Sequence, residues 1–89
     1  MSYSHMSLPS CSDIDVVQYG LSLDHIELEF YRQGLSNFTA EDFANAGYAP
    51  SIRQRYEQHV INEKTHVATL SAALVAAGVQ PVPLCTYAL

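Results

Sequence analysis

Two runs of apolar residues, each repeating at the spacing of an α-helix, constrain this sequence more than any other feature. The first run extends from about Asp13 to Gly34, and the second from about Ser51 to Ala77. Glycine, asparagine and proline lie between the runs, so we expect the chain to reverse direction there. The sequence shows no strand alternation of any length and no internal repeat. It therefore predicts an all-α fold, an antiparallel hairpin of two long helices.

The first helix carries two neighbouring apolar lines, which make an unusually wide apolar surface. One line is Val17, Leu21, Leu28, Tyr31 and Leu35, and the other is Val16, Tyr19, Leu23, Ile26 and Phe30. A polar stripe that includes Gln18 and His25 is expected to face solvent. A hairpin by itself cannot cover both apolar lines, so we expect one of them to stay exposed.

Local signals set the expected boundaries of the helices. Ser12 or Asp13 is a suitable N-cap for the first helix, and Gly34 is a suitable stop. Thr39 is expected to cap a short connecting helix that has two acids in its first turn. The segment after Gly78 contains two prolines, so it should run extended over the helices. The predicted organisation is an irregular arm over residues 1–12 and a helical domain over residues 13–89.

The charge balance excludes some classes of partner. Nine acidic residues against four Lys and Arg give a net charge of -5, which argues against nucleic acid or an anionic membrane surface. No apolar segment approaches the roughly 20 residues that span a bilayer, so no membrane partner is expected. The first residues show neither the basic nor the apolar region of a secretory signal. The compartment remains unassigned.

Acidic residues interrupt the apolar surfaces of both helices. Asp24 and Glu27 fall within the apolar arc of the first helix, and Glu63 interrupts that of the second. His66 follows Glu63 by three residues, so both side chains leave the helix on roughly the same side. Acids are seldom buried unless they are paired or bind a metal.

This combination matches half of the ligand set of a di-iron or di-manganese carboxylate protein, in which one helix supplies a carboxylate and another a Glu-x-x-His pair. Carboxylates neutralise the cations, and neutral imidazole completes their coordination. The candidate metal ligands are Glu27, Glu63, His66 and Asp24, with iron or manganese as the cofactor. The alternative is that these groups are exposed or paired with one another. His59 is expected at the core or rim, His5 and His25 in solvent, and Tyr31 beside the site.

Three segments resemble a known family. They read "DIDVVQYGLSLDHIELEFYRQGL", "FANAGY" and "RQRYEQHVINEKTHVATLSAALVAAGVQPVPLCTY", and they are similar to the ferritin-like domain of fungal stress-response and plant desiccation-related proteins. The resemblance implies a four-helix ferritin-like bundle. By resemblance, Glu63 and His66 match the ligands of the second helix and Glu27 matches the second acid of the first helix. Asp24 is one methylene shorter than the glutamate of the family pattern.

The family pattern continues into a second pair of helices, which implies a partner for this hairpin. We expect either a homodimer or a partner helical pair, because either would complete the ligand set. The resemblance implies a stress-response protein with a di-metal half-site. The alternatives are a non-catalytic stress-protection or interaction protein with a degenerate metal site, and a truncated fragment. Whether the chain is an enzyme stays open.

The two cysteines flank the predicted hairpin. Cys11 precedes the first helix and Cys85 follows the second, so an antiparallel arrangement would bring them to the same end, where a disulfide could form. Members of the family are often secreted, which favours that bond, as does the glycosylation sequon that begins at Asn37. Free thiols are the alternative.

Overall fold

A computed structural model describes residues 12–88 of the chain. The arm predicted over residues 1–12 lies outside the described residues except for Ser12, and so do His5 and Cys11. The described part contains three helices and no strand: α1 (Asp13–Asn37), α2 (Ala40–Asn45) and α3 (Pro50–Ala76). None of these three helices has the length and apolarity needed to cross a membrane.

The helix starts follow from local chemistry. The Ser12 hydroxyl accepts a hydrogen bond from the Asp15 amide, and the Asp15 carboxylate accepts one from the Ser12 amide. Thr39 and Asp42 form the same reciprocal pair at the start of α2. Each pair satisfies amide groups that a helix leaves without partners. Both predicted caps are confirmed, with Ser12 rather than Asp13 in the first.

Two of the three helices end at a glycine. Gly47 after α2 and Gly78 after α3 have positive φ angles of 90° and 78°, which glycine adopts without steric cost. The next amides, those of Tyr48 and Val79, donate back to Phe43 and Leu74 carbonyls in the usual glycine-terminated pattern. The prediction that Gly34 ends the first helix is wrong, because α1 continues to Asn37.

Arg53 of α3 takes over the role of a cap at the end of α1. Its guanidinium donates to the Leu35 carbonyl at 3.0 Å and to the Phe38 carbonyl at 3.4 Å, and it also pairs with Glu57 at 2.9 Å. The last carbonyls of a helix lack partners within the helix and carry partial negative charge. Arg53 therefore joins the end of α1 to the start of α3.

The two long helices pack antiparallel, which confirms the predicted fold class. Gly20 lies against Leu70 near one end of the pair, and Leu35 lies against Arg53 near the other. The apolar core between them is small: its buried hydrophobic residues are Leu21, Leu28 and Leu74. The short helix α2 packs on α3 and closes the turn between the long helices.

The segment after α3 crosses the polar stripe of α1, which corrects the expectation that this stripe faces solvent. The Gln18 amide donates to the Gln80 carbonyl, and its oxygen accepts from the Val82 amide, both at 2.8 Å. The Nε2 atom of His25 lies 3.1 Å from the Val82 carbonyl. His25 is consequently buried, so its assignment to solvent is wrong.

The second apolar line of α1 is uncovered, as the width of the apolar arc predicts. Its side chains are between 39% and 67% exposed, whereas large apolar side chains are usually buried. We call this line the open face of α1; it consists of Val16, Tyr19, Leu23, Ile26 and Phe30.

The structure does not test the disulfide prediction. Cys85 is exposed, but its proposed partner Cys11 lies outside the described residues. From Gln80 to Val82 the chain advances along α1 from Gln18 towards His25, away from Ser12. The pairing of the two cysteines therefore stays a prediction.

Candidate metal centre

Three of the four predicted ligands meet between α1 and α3. Asp24 comes from the middle of α1, and Glu63 and His66 come from the facing part of α3. One ligand atom from each of the three side chains lies within 4.8 Å of the other two. We call this group the Asp24–Glu63–His66 cluster.

Glu63 is the buried member of the cluster. The residue is only 5% exposed, and its Oε2 atom is buried without a hydrogen-bond partner among the described residues. A buried oxygen without a partner destabilises the folded chain, because burial removes its water without replacing the hydrogen bonds. A proton or a cation at this oxygen would satisfy it.

The surroundings of Glu63 already favour its protonated form. Burial raises the pKa of Glu63 from its ordinary value of 4.5 to about 7, and the neighbouring carboxyl groups of Asp24 and then Glu27 add to the rise. Burial disfavours the charged form of an acid, and nearby negative charge acts in the same direction. The carboxyl group of Glu63 therefore keeps its proton to a higher pH than an ordinary glutamate does.

His66 connects the buried carboxyl group with solvent. Its Nδ1 atom lies 3.7 Å from Oε1 of Glu63, which is too long for a hydrogen bond, and its side chain is 57% exposed. The imidazole is therefore free to turn towards a cation without leaving a packed position.

Glu27 lies at the edge of the cluster rather than in it. The residue is exposed, yet its carboxyl group is close enough to contribute to the raised pKa of Glu63. At about 100° per residue, Asp24 projects between the side of α1 that packs on α3 and the open face, and Glu27 projects further towards the open face. A partner protein surface packed on the open face would enclose both Asp24 and Glu27.

Two other predicted neighbours lie in an aromatic cluster. The Tyr31 ring stacks on Tyr56 with centroids 5.7 Å apart and meets the His59 ring edge to face at 4.7 Å. His59 is not part of the Asp24–Glu63–His66 cluster. His59 is exposed and contacts the Tyr31 ring, so of the two expected places, core or rim, the structure gives the rim.

The donor set suits a divalent metal ion. Carboxylate oxygens and an imidazole nitrogen are ligands of iron, manganese and zinc, and the absence of a thiolate in the cluster matches harder cations. A cation would supply the partner that the buried Oε2 of Glu63 lacks and would offset the repulsion among the three carboxylates. The residues present therefore fit a metal ion, although three ligands leave its coordination incomplete.

Comparison with known proteins gives a family but no individual relative. The family model described as ferritin-like domain matches residues 12–89. No curated protein matches, and no solved structure does.

Proposed function

Because the chain belongs to the ferritin-like domain family, we propose that its hairpin is one half of a metal-binding helical bundle and that the Asp24–Glu63–His66 cluster is half of the metal site. In di-metal carboxylate bundles, two helices each supply one carboxylate and the other two each supply a Glu-x-x-His pair. This hairpin holds one helix of each kind, so two hairpins together provide the whole set.

The observation that carries the proposal is the buried Oε2 atom of Glu63, which has no partner among the described residues. In a protein that binds no ligand at the site, a buried carboxyl oxygen normally has a hydrogen-bond or ion-pair partner from the protein itself. Here the carboxyl groups of Asp24 and Glu27 are close enough to repel a charged Glu63. A bound metal ion is positively charged, so it would attract the charged Glu63 carboxylate where the neighbouring acids repel it.

Each residue would have a distinct part in the site. Glu63 and Asp24 would bind the ion between the two helices, His66 would add an imidazole nitrogen, and Glu27 would reach in from the open face as that face is covered. Iron or manganese bound to such ligands supplies redox chemistry. The metal would also displace the proton that Glu63 otherwise holds near neutral pH.

A second copy of the chain would complete the bundle. The open face of α1 is apolar and uncovered, and a two-fold axis across it would bring two copies of the cluster together. The chain's segments "LDHIELEFY" and "NEKTHVATL" support placing it, within the family, near the fungal stress-response and desiccation-related proteins.

The test is the metal content of the purified chain after anaerobic incubation with Fe²⁺ or Mn²⁺. Wild type should retain metal through desalting, and Glu63→Gln should lose most of it while keeping its helical circular dichroism. Glu41→Gln is the matched control, because Glu41 is an exposed acid in the first turn of α2. Equal metal content in wild type and Glu63→Gln would show that Glu63 is not a metal ligand.

A second candidate function is a non-catalytic helical interaction or stress-protection protein. The short side chain of Asp24 supports it, because aspartate reaches less far into the bundle than glutamate. On this alternative the open face still binds a partner, but the cluster holds no metal. An unchanged melting temperature with and without Mn²⁺ would favour it over the metal-binding proposal.

A further inference from the structure

A cavity at the turn end of the hairpin is separate from the metal cluster. It lies where the end of α1, the connecting helix α2 and the start of α3 meet, and its volume is about 350 Å³. Volumes of this size are at the lower end of those that hold small organic ligands. The cavity is lined mainly by aromatic and aliphatic side chains, among them Tyr31, Leu35, Phe43, Tyr48 and Tyr56.

Gly34 gives this cavity its space. Gly34 lies in the last turn of α1 and lines the cavity, and a β-carbon added there would meet nothing within 4 Å. Its φ angle is not positive, so the backbone does not require glycine at this position. The absence of a side chain at Gly34 leaves this part of the cavity unfilled.

The lining specifies the chemistry of a ligand. None of the residues that line the cavity carries a formal charge, and the nearby guanidinium of Arg53 is already bound to backbone carbonyls and Glu57. The stacked rings of Tyr31 and Tyr56 offer a flat aromatic surface. Planar apolar molecules pack favourably on such a surface, and an unpaired charge would be costly to bury there.

We propose that the cavity between Gly34, Tyr56 and α2 binds a small, neutral, planar apolar molecule. The aromatic side chains that line the cavity would contact the ring system of the ligand, and the hydroxyl of a lining tyrosine could donate a hydrogen bond to a ligand oxygen. This binding site is independent of the metal cluster and would remain if that cluster held no metal.

The test uses 2-naphthol as a neutral probe and 2-naphthoate as its charged analogue. Isothermal titration with the full chain should show saturable binding of 2-naphthol, with amide shifts in the NMR spectrum centred on Gly34, Phe43 and Tyr48. Binding of 2-naphthoate should be weaker by about tenfold or more. No saturable binding of 2-naphthol, or shifts centred elsewhere, would overturn the proposal.

Gly34→Leu is the decisive variant, because its side chain enters open space and fills the cavity. We expect binding of 2-naphthol to fall by about tenfold or more while helical circular dichroism is kept. Gly20→Ala is the control, since its added methyl lies in ordinary contact with Leu70, away from the cavity. If Gly34→Leu does not fold, Gly34→Ala should still weaken binding. Undiminished binding in a folded Gly34 variant contradicts the proposal.

Discussion

The imidazole Nδ1 of His66 lies 3.7 Å from the carboxylate Oε1 of Glu63, one helical turn away on α3. The two side chains differ sharply in exposure, 57% for His66 and 7% for Glu63. The pair therefore spans the boundary between the core of the hairpin and its uncovered side. On the proposed function, a cation would reach the buried Glu63 from the side on which His66 is exposed.

The raised pKa of Glu63 predicts how the metal-free chain responds to pH. In the folded chain Glu63 keeps its proton up to about pH 7, but in the unfolded chain it loses the proton near pH 4.5. The folded state therefore binds more protons in this window, and the free energy of unfolding falls as pH rises from about 4.5 to 7. The decrease should be about 1 to 3 kcal/mol, measured by urea unfolding in chelator.

Glu63→Gln tests the source of this pH dependence. The amide cannot ionise, so the decrease between pH 4.5 and 7 should largely disappear, and the variant should be more stable than wild type above pH 7. Glu41→Gln should retain the wild-type profile, because that acid is exposed. A wild-type profile in Glu63→Gln would assign the pH dependence to other groups.

His66→Ala should separate metal binding from stability. The side chain is largely exposed, so its removal should change the free energy of unfolding of the metal-free chain by less than about 0.5 kcal/mol. Affinity for Mn²⁺, measured by calorimetric titration, should fall by about tenfold or more because an imidazole ligand is lost. His59→Ala is the control. If His59→Ala lost as much Mn²⁺ affinity as His66→Ala, the metal would have to bind nearer to His59 and Tyr31 than proposed.

Arg53→Ala should destabilise the chain through the end of α1. The substitution leaves the Leu35 and Phe38 carbonyls without their guanidinium donor, and we expect a loss of about 1 to 2 kcal/mol in urea unfolding. Glu57→Ala removes only the exposed ion pair and should cost less than about 0.5 kcal/mol. Equal losses in the two variants would mean that the ion pair, not the cap, is what stabilises the chain.

Gln18→Ala should release the segment that follows α3. The substitution removes two hydrogen bonds, to Gln80 and Val82. The Val82 amide should therefore exchange with deuterium faster, by about tenfold, while amides in the middle of α3 keep their protection. Gln58→Ala is the control, because within residues 12–88 the Gln58 side chain bonds to Asn62 on the same helix and not to the segment after α3. Unchanged exchange at Val82 would contradict this role of Gln18.

The sequence predicts the helices well because their signals are local. The reciprocal caps at Ser12 and Thr39 and the inward line from Val17 to Leu35 depend on residues within one or two turns of each other. The burial of Glu63 also follows from a local signal, because Glu63 lies within the apolar arc of its own helix.

The errors arise where distant segments meet. His25 looks polar and solvent-facing on its own helix, and only the return of the chain at Val82 buries it. Gly34 resembles a helix stop, yet Arg53, which follows it by nineteen positions in the sequence, supports the continuation of α1 past it. Helical periodicity shows which side of a helix is apolar, but it does not show which neighbour covers each side.

Sedimentation equilibrium in the presence and absence of Mn²⁺, with bound metal measured on the same sample, shows whether two hairpins pair around metal ions. We expect Mn²⁺ to shift the chain towards a dimer that holds two ions, one for each Asp24–Glu63–His66 cluster. Tyr19→Lys, a change on the open face away from the cluster, should weaken both dimerisation and metal retention. A wild-type chain that stays monomeric and retains no metal would rule out a metal site shared by two hairpins.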